Sequence, residues 1–269
     1  MAFRLFGRKE KKPKPKKKRP KIKKKKVIKR LKIKKAKPKK IRKLKKVKVS
    51  KKPEIKPLII NKMSDEKAYE LLKRYRVKTA TYAFCKNEKE LIKAVKKIGF
   101  PCVMKASGKN IVHKTNVNGV RLNIQTEEDA IRTFNELMKI KSCEKVLVQK
   151  MITRGYEIIV GGRKDPQFNR VIALGAGGIF TEFLRDVSFR VPPLSKEDAE
   201  EMLMEVRFSD LILKGFRGQK PANKEAIINT ILAVSRIMEK NPKIREIDIN
   251  PLFATPENAI AVDIRIILE

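Results

Sequence analysis

At 269 residues the chain has room for one or two domains, and 68 Lys+Arg against 29 Asp+Glu give it a formal charge of +39. The excess is local: residues 1–60 hold 31 basic and two acidic side chains, Glu10 and Glu54, so the rest of the chain carries only about +10. Cys85, Cys102 and Cys143 are odd in number and lack CxxC spacing, which argues against a zinc site or a disulfide framework; no apolar run approaches the ~18 residues of a membrane span, and no apolar stretch follows the basic N-terminus as a secretory signal requires, so the chain reads as cytoplasmic.

Residues 1–60 repeat short lysine runs broken by single Ile, Val or Leu residues and by proline. Like charges repel and proline interrupts helix, so the expected state is disorder. Such an arm can hold nucleic acid or an anionic surface through counterion release, without sequence preference, since Phe3 and Phe6 are its only aromatics. The simpler reading is a solvated extension; Met63-Ser64-Asp65-Glu66 itself looks like a chain start leading into a helix.

Beyond the tail, Ser64 is an N-cap with acids in the first turn, and Ala68, Leu71, Leu72 and Tyr75 form a helical stripe. Residues 79–84 favour a strand. Asn87 with Glu90 starts a second helix that Gly99 stops. Residues 101–105 and 120–124 read as strands, and Thr126 caps a helix carrying Ala130, Ile131, Phe134, Leu137 and Met138. Strands follow at 146–151, 156–161 and 170–174. Ser195 with Asp198 opens another helix, and 223–238 forms a long one. Strands at 244–249 and 259–268 close the chain. Strand and helix alternate without regular βαβ units, which points to α+β layers rather than a doubly wound sheet.

Three stretches stand apart as chemistry. Gly175-Ala176-Gly177-Gly178 follows a strand, where clustered glycines either let backbone amides approach phosphate or simply make a tight turn. Glu246, Asp248 and Asn250 alternate along one strand, with Asp263 on a neighbouring strand candidate. Oxygen donors so placed suit Mg2+, which needs only one or two protein ligands beside water and phosphate, or else line a solvated, salt-bridged face. Lys105 ends a strand as a point charge for phosphate. His113, the only histidine, can act at neutral pH as a phosphoryl acceptor or merely occupy a surface turn.

The runs PCVMK (101–105), IVHKTNVNGV (111–120), VLVQKM (146–151), DPQF (165–168), GAGGIFTEFLRDVSFR (175–190), EIDINPL (246–252) and AVDIRII (261–267) occur in one order. In that order residues 64–269 resemble the β subunit of ADP-forming acyl-CoA synthetases, the acetate–CoA ligase type of the ATP-grasp and succinyl-CoA synthetase superfamily. The resemblance implies an ATP-grasp fold of two subdomains, 63–143 with the His loop and 144–269 with the nucleotide and Mg2+ site, after a 1–62 extension. It implies that ATP or ADP lies between the subdomains, with Lys105 on the phosphates. Gln149, Lys150 and Met151 then form the hinge on which the adenine ring rests, Glu157 is the acid that follows it, Gly177 and Gly178 join the nucleotide-binding set, and Asn250 and Asp263 hold Mg2+.

His113 matches the histidine that carries a phosphoryl group, while Glu182, Asp186 and Arg190 fall on or beside the phosphoryl path. It implies a CoA-binding α subunit as partner, in an α2β2 heterotetramer. Two departures mark the His loop: Asn116 stands where the family carries an acid and Asn118 where it carries glycine. Because Asn accepts positive φ, the turn is expected to survive the second. The competing readings are an ATP-grasp ligase that makes an acyl phosphate directly, without need of His113, and a nucleic-acid-binding protein on a degenerate ATP-grasp scaffold.

Overall fold

The computed structural model describes residues 61–177 and 186–269. Residues 1–60, Gly178 and Glu182 lie outside the described residues. What is described belongs to one compact unit, Ile55–Glu269.

Local capping chemistry sets the helix starts. Ser64 accepts from Lys67 N–H to open α1 (Asp65–Arg74), Asn87 from Glu90 N–H to open α2 (Glu88–Ile98), and Thr126 from Asp129 N–H to open α3 (Glu127–Met138). Ser195 and Asp198 form a reciprocal capping box at α4 (Lys196–Glu205). A short α5 (Ser209–Lys214), not foreseen from sequence, precedes α6 (Lys224–Lys240), which Asn223 caps.

The first sheet has the order β1 (Tyr82–Cys85), β4 (Lys145–Lys150), β2 (Cys102–Ser107), β3 (Val120–Ile124), and all its neighbours are antiparallel. Side chains alternate across it. Cys102, Met104, Ala106, Val146 and Val148 meet Leu91, Val95, Phe134 and Leu137 of α2 and α3 in one core. Lys105, Leu147 and Gln149 belong to the opposite alternation, and Leu147 packs into the other core.

That second core lies on an antiparallel sheet ordered β10 (Ile264–Leu268), β8 (Ile244–Ala254), β5 (Tyr156–Asp165), β6 (Asn169–Ala176), β7 (Val187–Arg190), with β9 (Ala259–Ala261) paired to the far half of β8. Helix α6 buries Ile227, Ile231, Val234, Ile237 and Met238 against it. At about 1.5–3 kcal/mol for each large apolar side chain removed from water, this one face is a main source of stability. Gly162 makes the close approach possible: a Cβ there would stand 2.8 Å from Met238 Cγ.

Three expectations need correction, and one strand was missed. Lys62 is part of the folded unit rather than the tail: it bridges Ile267, is 3 % exposed and pairs with Asp65, while Leu268 N–H donates to the Asn61 carbonyl at 2.8 Å. Strand β4 pairs with β1 and β2, so the sheets change between Lys150 and Tyr156 rather than at 143/144. The strand expected over 259–268 is broken at Val262-Asp263, because the register of β8 shifts opposite it, between Ile249 and Leu252. Strand β7 was not foreseen; its four residues pair with β6 and form the sheet edge.

Candidate nucleotide and phosphoryl site

The break in one strand and the irregularity in its neighbour lie together. Asn250 N–H donates to the Asp263 carbonyl at 3.2 Å, and Val262 N–H to that of Pro251 at 3.3 Å. The two residues matched to Mg2+ thus sit side by side where both strands leave regular pairing. Lys105 comes from the first sheet to the same place. Its Nζ donates to Gln149 Oε1 at 3.1 Å and to the Val262 carbonyl, using two of its three N–H donors. Burial pushes its pKa down, against the pull of Asp263.

Next to His113, Lys114 turns inward. Its ammonium lies 3.0 Å from Asp263 Oδ1 and 3.6 Å from Asp65 Oδ1, and Lys62 reaches the same Asp65 oxygen at 2.8 Å. Ser107 Oγ donates to Asp65 Oδ2 at 2.6 Å. Burial works against the charge on Lys114, but Asp263 and Asp65 outweigh it and raise its pKa. Burial likewise opposes ionisation of Asp263, yet Lys114 and Lys105 hold its pKa below the usual carboxylate value. Three lysines and two aspartates therefore form one charge cluster under the His loop.

His113 itself is exposed. Behind it runs the turn Thr115–Val117, closed by Gly119 N–H to the Lys114 carbonyl at 2.7 Å. Asn118 takes the left-handed conformation, φ 50° and ψ 37°, as the expectation for this departure required. A cavity of about 160 Å³ is lined by His113, Lys114, Asp248, Asn250, Asp263 and Arg265, among others. Arg265 Nη1 lies 2.8 Å from His113 Nε2, while its Nη2 pairs with Glu246 and lies 3.5 Å from Asp248 Oδ2. Burial raises the Asp248 pKa, opposed by Arg265.

The structure therefore brings His113, Asn250 and Asp263 to one cavity, with Lys105 and Gln149 joined to its edge through Val262. Other matched residues lie apart from that cavity. Lys150 Nζ donates to the Phe100 carbonyl at 2.9 Å, and Met151 N–H to that of Pro101 at 3.3 Å. Glu157 is exposed on β5. Gly177 gives its N–H to the Glu157 carbonyl at 2.9 Å, and a Cβ would stand 2.6 Å from Glu157 backbone, so close strand packing demands glycine there. Arg190 is held by Glu205 and, at 3.4 Å, by Glu201, and lines a separate cavity with Phe168 and Phe189. Asp186 accepts from Arg207 and Phe208 N–H at 3.0 and 3.1 Å, bracing the turn before α5.

Sequence reasoning missed Lys62, Asp65 and Arg265 and gave Lys114 no role. Period-two alternation had a signal for Arg265, two residues beyond Asp263, but nothing local announces that Asp65, a first-turn helix acid, lies against Lys114. Among the described residues no three His, Cys, Asp or Glu side chains converge on a metal position. The donors present still fit Mg2+: one hard carboxylate, one third exposed, with an amide oxygen beside it and room for water and phosphate.

Lysine, carboxylate and the chain's one histidine gather where two sheets meet, a charge arrangement suited to holding phosphate groups. The ATP-grasp domain profile matches residues 60–268. Over 222 residues the chain is 41 % identical to the β subunit of acetate–CoA ligase (ADP-forming) I of Pyrococcus furiosus, covering 80 % of this chain and 93 % of that one. It is similar to the dinucleotide-forming acetyl-coenzyme A synthetase 1 of Ca. Korarchaeum cryptofilum in complex with coenzyme A, Ca-AMPCP and HgCl+, with TM-score 0.73, 37 % identity, and 78 % of this chain and 94 % of that one covered. The same enzyme with coenzyme A, acetyl-coenzyme A and a phosphorylated phosphohistidine segment aligns at TM-score 0.70 and 36 % identity, with the same coverage. The chain belongs to the ATP-grasp family, in the branch of the β subunits of ADP-forming acyl-CoA synthetases.

Proposed function

We propose that this chain is the nucleotide-handling subunit of an enzyme that interconverts acyl-CoA, ADP and phosphate with carboxylate, CoA and ATP, and that His113 carries the phosphoryl group. The observation that carries the reading is the convergence of His113, Asn250 and Asp263 on one cavity that Lys114 also lines, with the Lys105 ammonium on the Val262 carbonyl beside it. A ligase forming its acyl phosphate directly would have no use for an exposed histidine in that place.

Lys105 is poised to give its remaining N–H to a nucleotide phosphate, and its buried ammonium interacts more strongly there than in water. Asp263 and Asn250 would hold Mg2+, which neutralises phosphate charge and fixes its geometry when bound. The chain's own work is positioning: Lys105 meets the phosphates, and the His113 ring accepts the phosphoryl group through an unprotonated nitrogen. The acyl and CoA chemistry belongs to a CoA-binding α subunit, in an α2β2 assembly.

The test is phosphorylation by Mg·[γ-³²P]ATP. Acid-labile, alkali-stable label on His113 is expected, together with loss of the overall reaction in His113→Ala while ATP still binds. Full activity of His113→Ala with the partner subunit would overturn the reading.

A further inference from the structure

We propose that Arg265 is the residue that binds the phosphoryl group while His113 carries it; this rests on the phosphohistidine reading above. The guanidinium is divided between two tasks. Its Nη2 side faces Glu246 and Asp248 of β8, opposite it in the ladder, where Arg265 pairs with Asp248. That leaves Nη1 aimed at the imidazole, 2.8 Å from Nε2 and 3.4 Å from Nδ1.

Arginine stays protonated and can only donate, so the ring nitrogen nearest it accepts through its lone pair, and the neutral ring keeps its proton on Nδ1. When Nη1 moves from Nε2 to the oxygens of the incoming phosphoryl group, the freed lone pair attacks: the N–P bond forms and the bond from the γ-phosphorus to the β,γ-bridging oxygen breaks. The electron pair leaves with ADP, and no proton has to leave the attacking atom. The new group brings about two negative charges to a point already within reach of a planar cation whose fork suits phosphate oxygens.

Among the described residues lining the cavity the other cation is Lys114, whose ammonium is committed to Asp263 and Asp65; Lys105 lies outside the lining, on Gln149 and the Val262 carbonyl, with one N–H left for the nucleotide. The remaining polar groups facing His113 include Asp248, Asn250 and Asp263, of which the two carboxylates would repel a phosphoryl group.

The experiment sets the full-length chain at fixed ATP:ADP ratios and measures the fraction labelled on His113 in the parent, Arg265→Met and Arg265→Lys, with ATP affinity measured separately. Loss of a charge-assisted contact predicts an equilibrium labelled fraction about 10–100-fold lower in Arg265→Met, ATP affinity within about threefold of the parent, and partial recovery in Arg265→Lys. Labelling of Arg265→Met at the parental equilibrium overturns the proposal, as does a drop in labelling matched by an equal drop in ATP affinity. Should Arg265→Met not fold, Arg265→Lys decides: a reduced equilibrium supports the guanidinium fork and a parental one overturns it. Absence of His113 label in the parent sinks the phosphohistidine reading instead, so the two failures are distinguishable.

Discussion

Replacing Lys114 by methionine keeps most of its buried stem and removes the ammonium that joins Asp263 to Asp65. Removing one partner of a fully buried ion pair typically costs about 3–5 kcal/mol, because the other charge is left unpaired. Here three features reduce the cost. The Asp263 side chain keeps 33 % of its surface in water, Asp65 retains Lys62 at 2.8 Å and Ser107 at 2.6 Å, and the cluster passes from three cations and two anions to two of each. We expect a loss of about 2 kcal/mol in urea unfolding.

The pH dependence follows from the signs. The Lys114 pKa is raised from its ordinary 10.5, so its contribution is complete below that value and is lost only as pH rises through the folded pKa. The Asp263 pKa is lowered from 3.8, so its contribution is present above that value and fades as pH falls through the folded pKa. The difference between parent and variant should therefore be flat from about pH 5 to pH 9 and shrink in stronger acid. A Lys114→Met protein within about 0.5 kcal/mol of the parent at pH 7, or a difference that grows towards acid pH, would refute the reasoning.

Lys105→Met should weaken ADP binding by calorimetry about 10–100-fold, the scale of a lost charged hydrogen bond, with little loss of stability because the buried ammonium is itself costly. A chain begun at Met63 should be about 1–3 kcal/mol less stable than one begun at Asn61, since it lacks Lys62 and the Asn61 carbonyl that Leu268 uses; equal melting curves would remove Lys62 from the fold's account. Gly177→Ala should cost about 1–3 kcal/mol, as the methyl meets Glu157 backbone atoms that cannot move aside without breaking β5 pairing. If the lysine-rich segment 1–60 holds polyanions, RNA affinity measured by filter binding should fall steeply between 50 and 200 mM salt, by about 10³-fold or more for six or more phosphate contacts, and should vanish when 1–60 is deleted.

Much of the scaffold is local chemistry and could be read without the fold. The caps Ser64, Asn87, Thr126, Ser195 and Asn223 each bond a backbone N–H three residues ahead, and the apolar stripes of α2, α3 and α6 follow helical spacing. The strand-face placement of Glu246, Asp248 and Asn250 was legible for the same reason. Strand lengths were less so: β5 runs four residues past the expected 161, and β8 five past 249, because pairing partners, not intrinsic preference, decide where a strand stops.

Sequence by itself determined the histidine loop, the family order of its motifs and the charge asymmetry between residues 1–60 and the rest, since each is a property of neighbouring residues. Only the tertiary structure decided that Asp65 and Lys114 meet from 49 positions apart and that Arg265 reaches His113 across 152. It also decided that Asn250 and Asp263 lie together at a paired interruption of two strands. Those contacts depend on sheet register and on how α1 and the His loop pack beside β10, and register is a global outcome: a slip of one residue in β10 would send Arg265 to the other face.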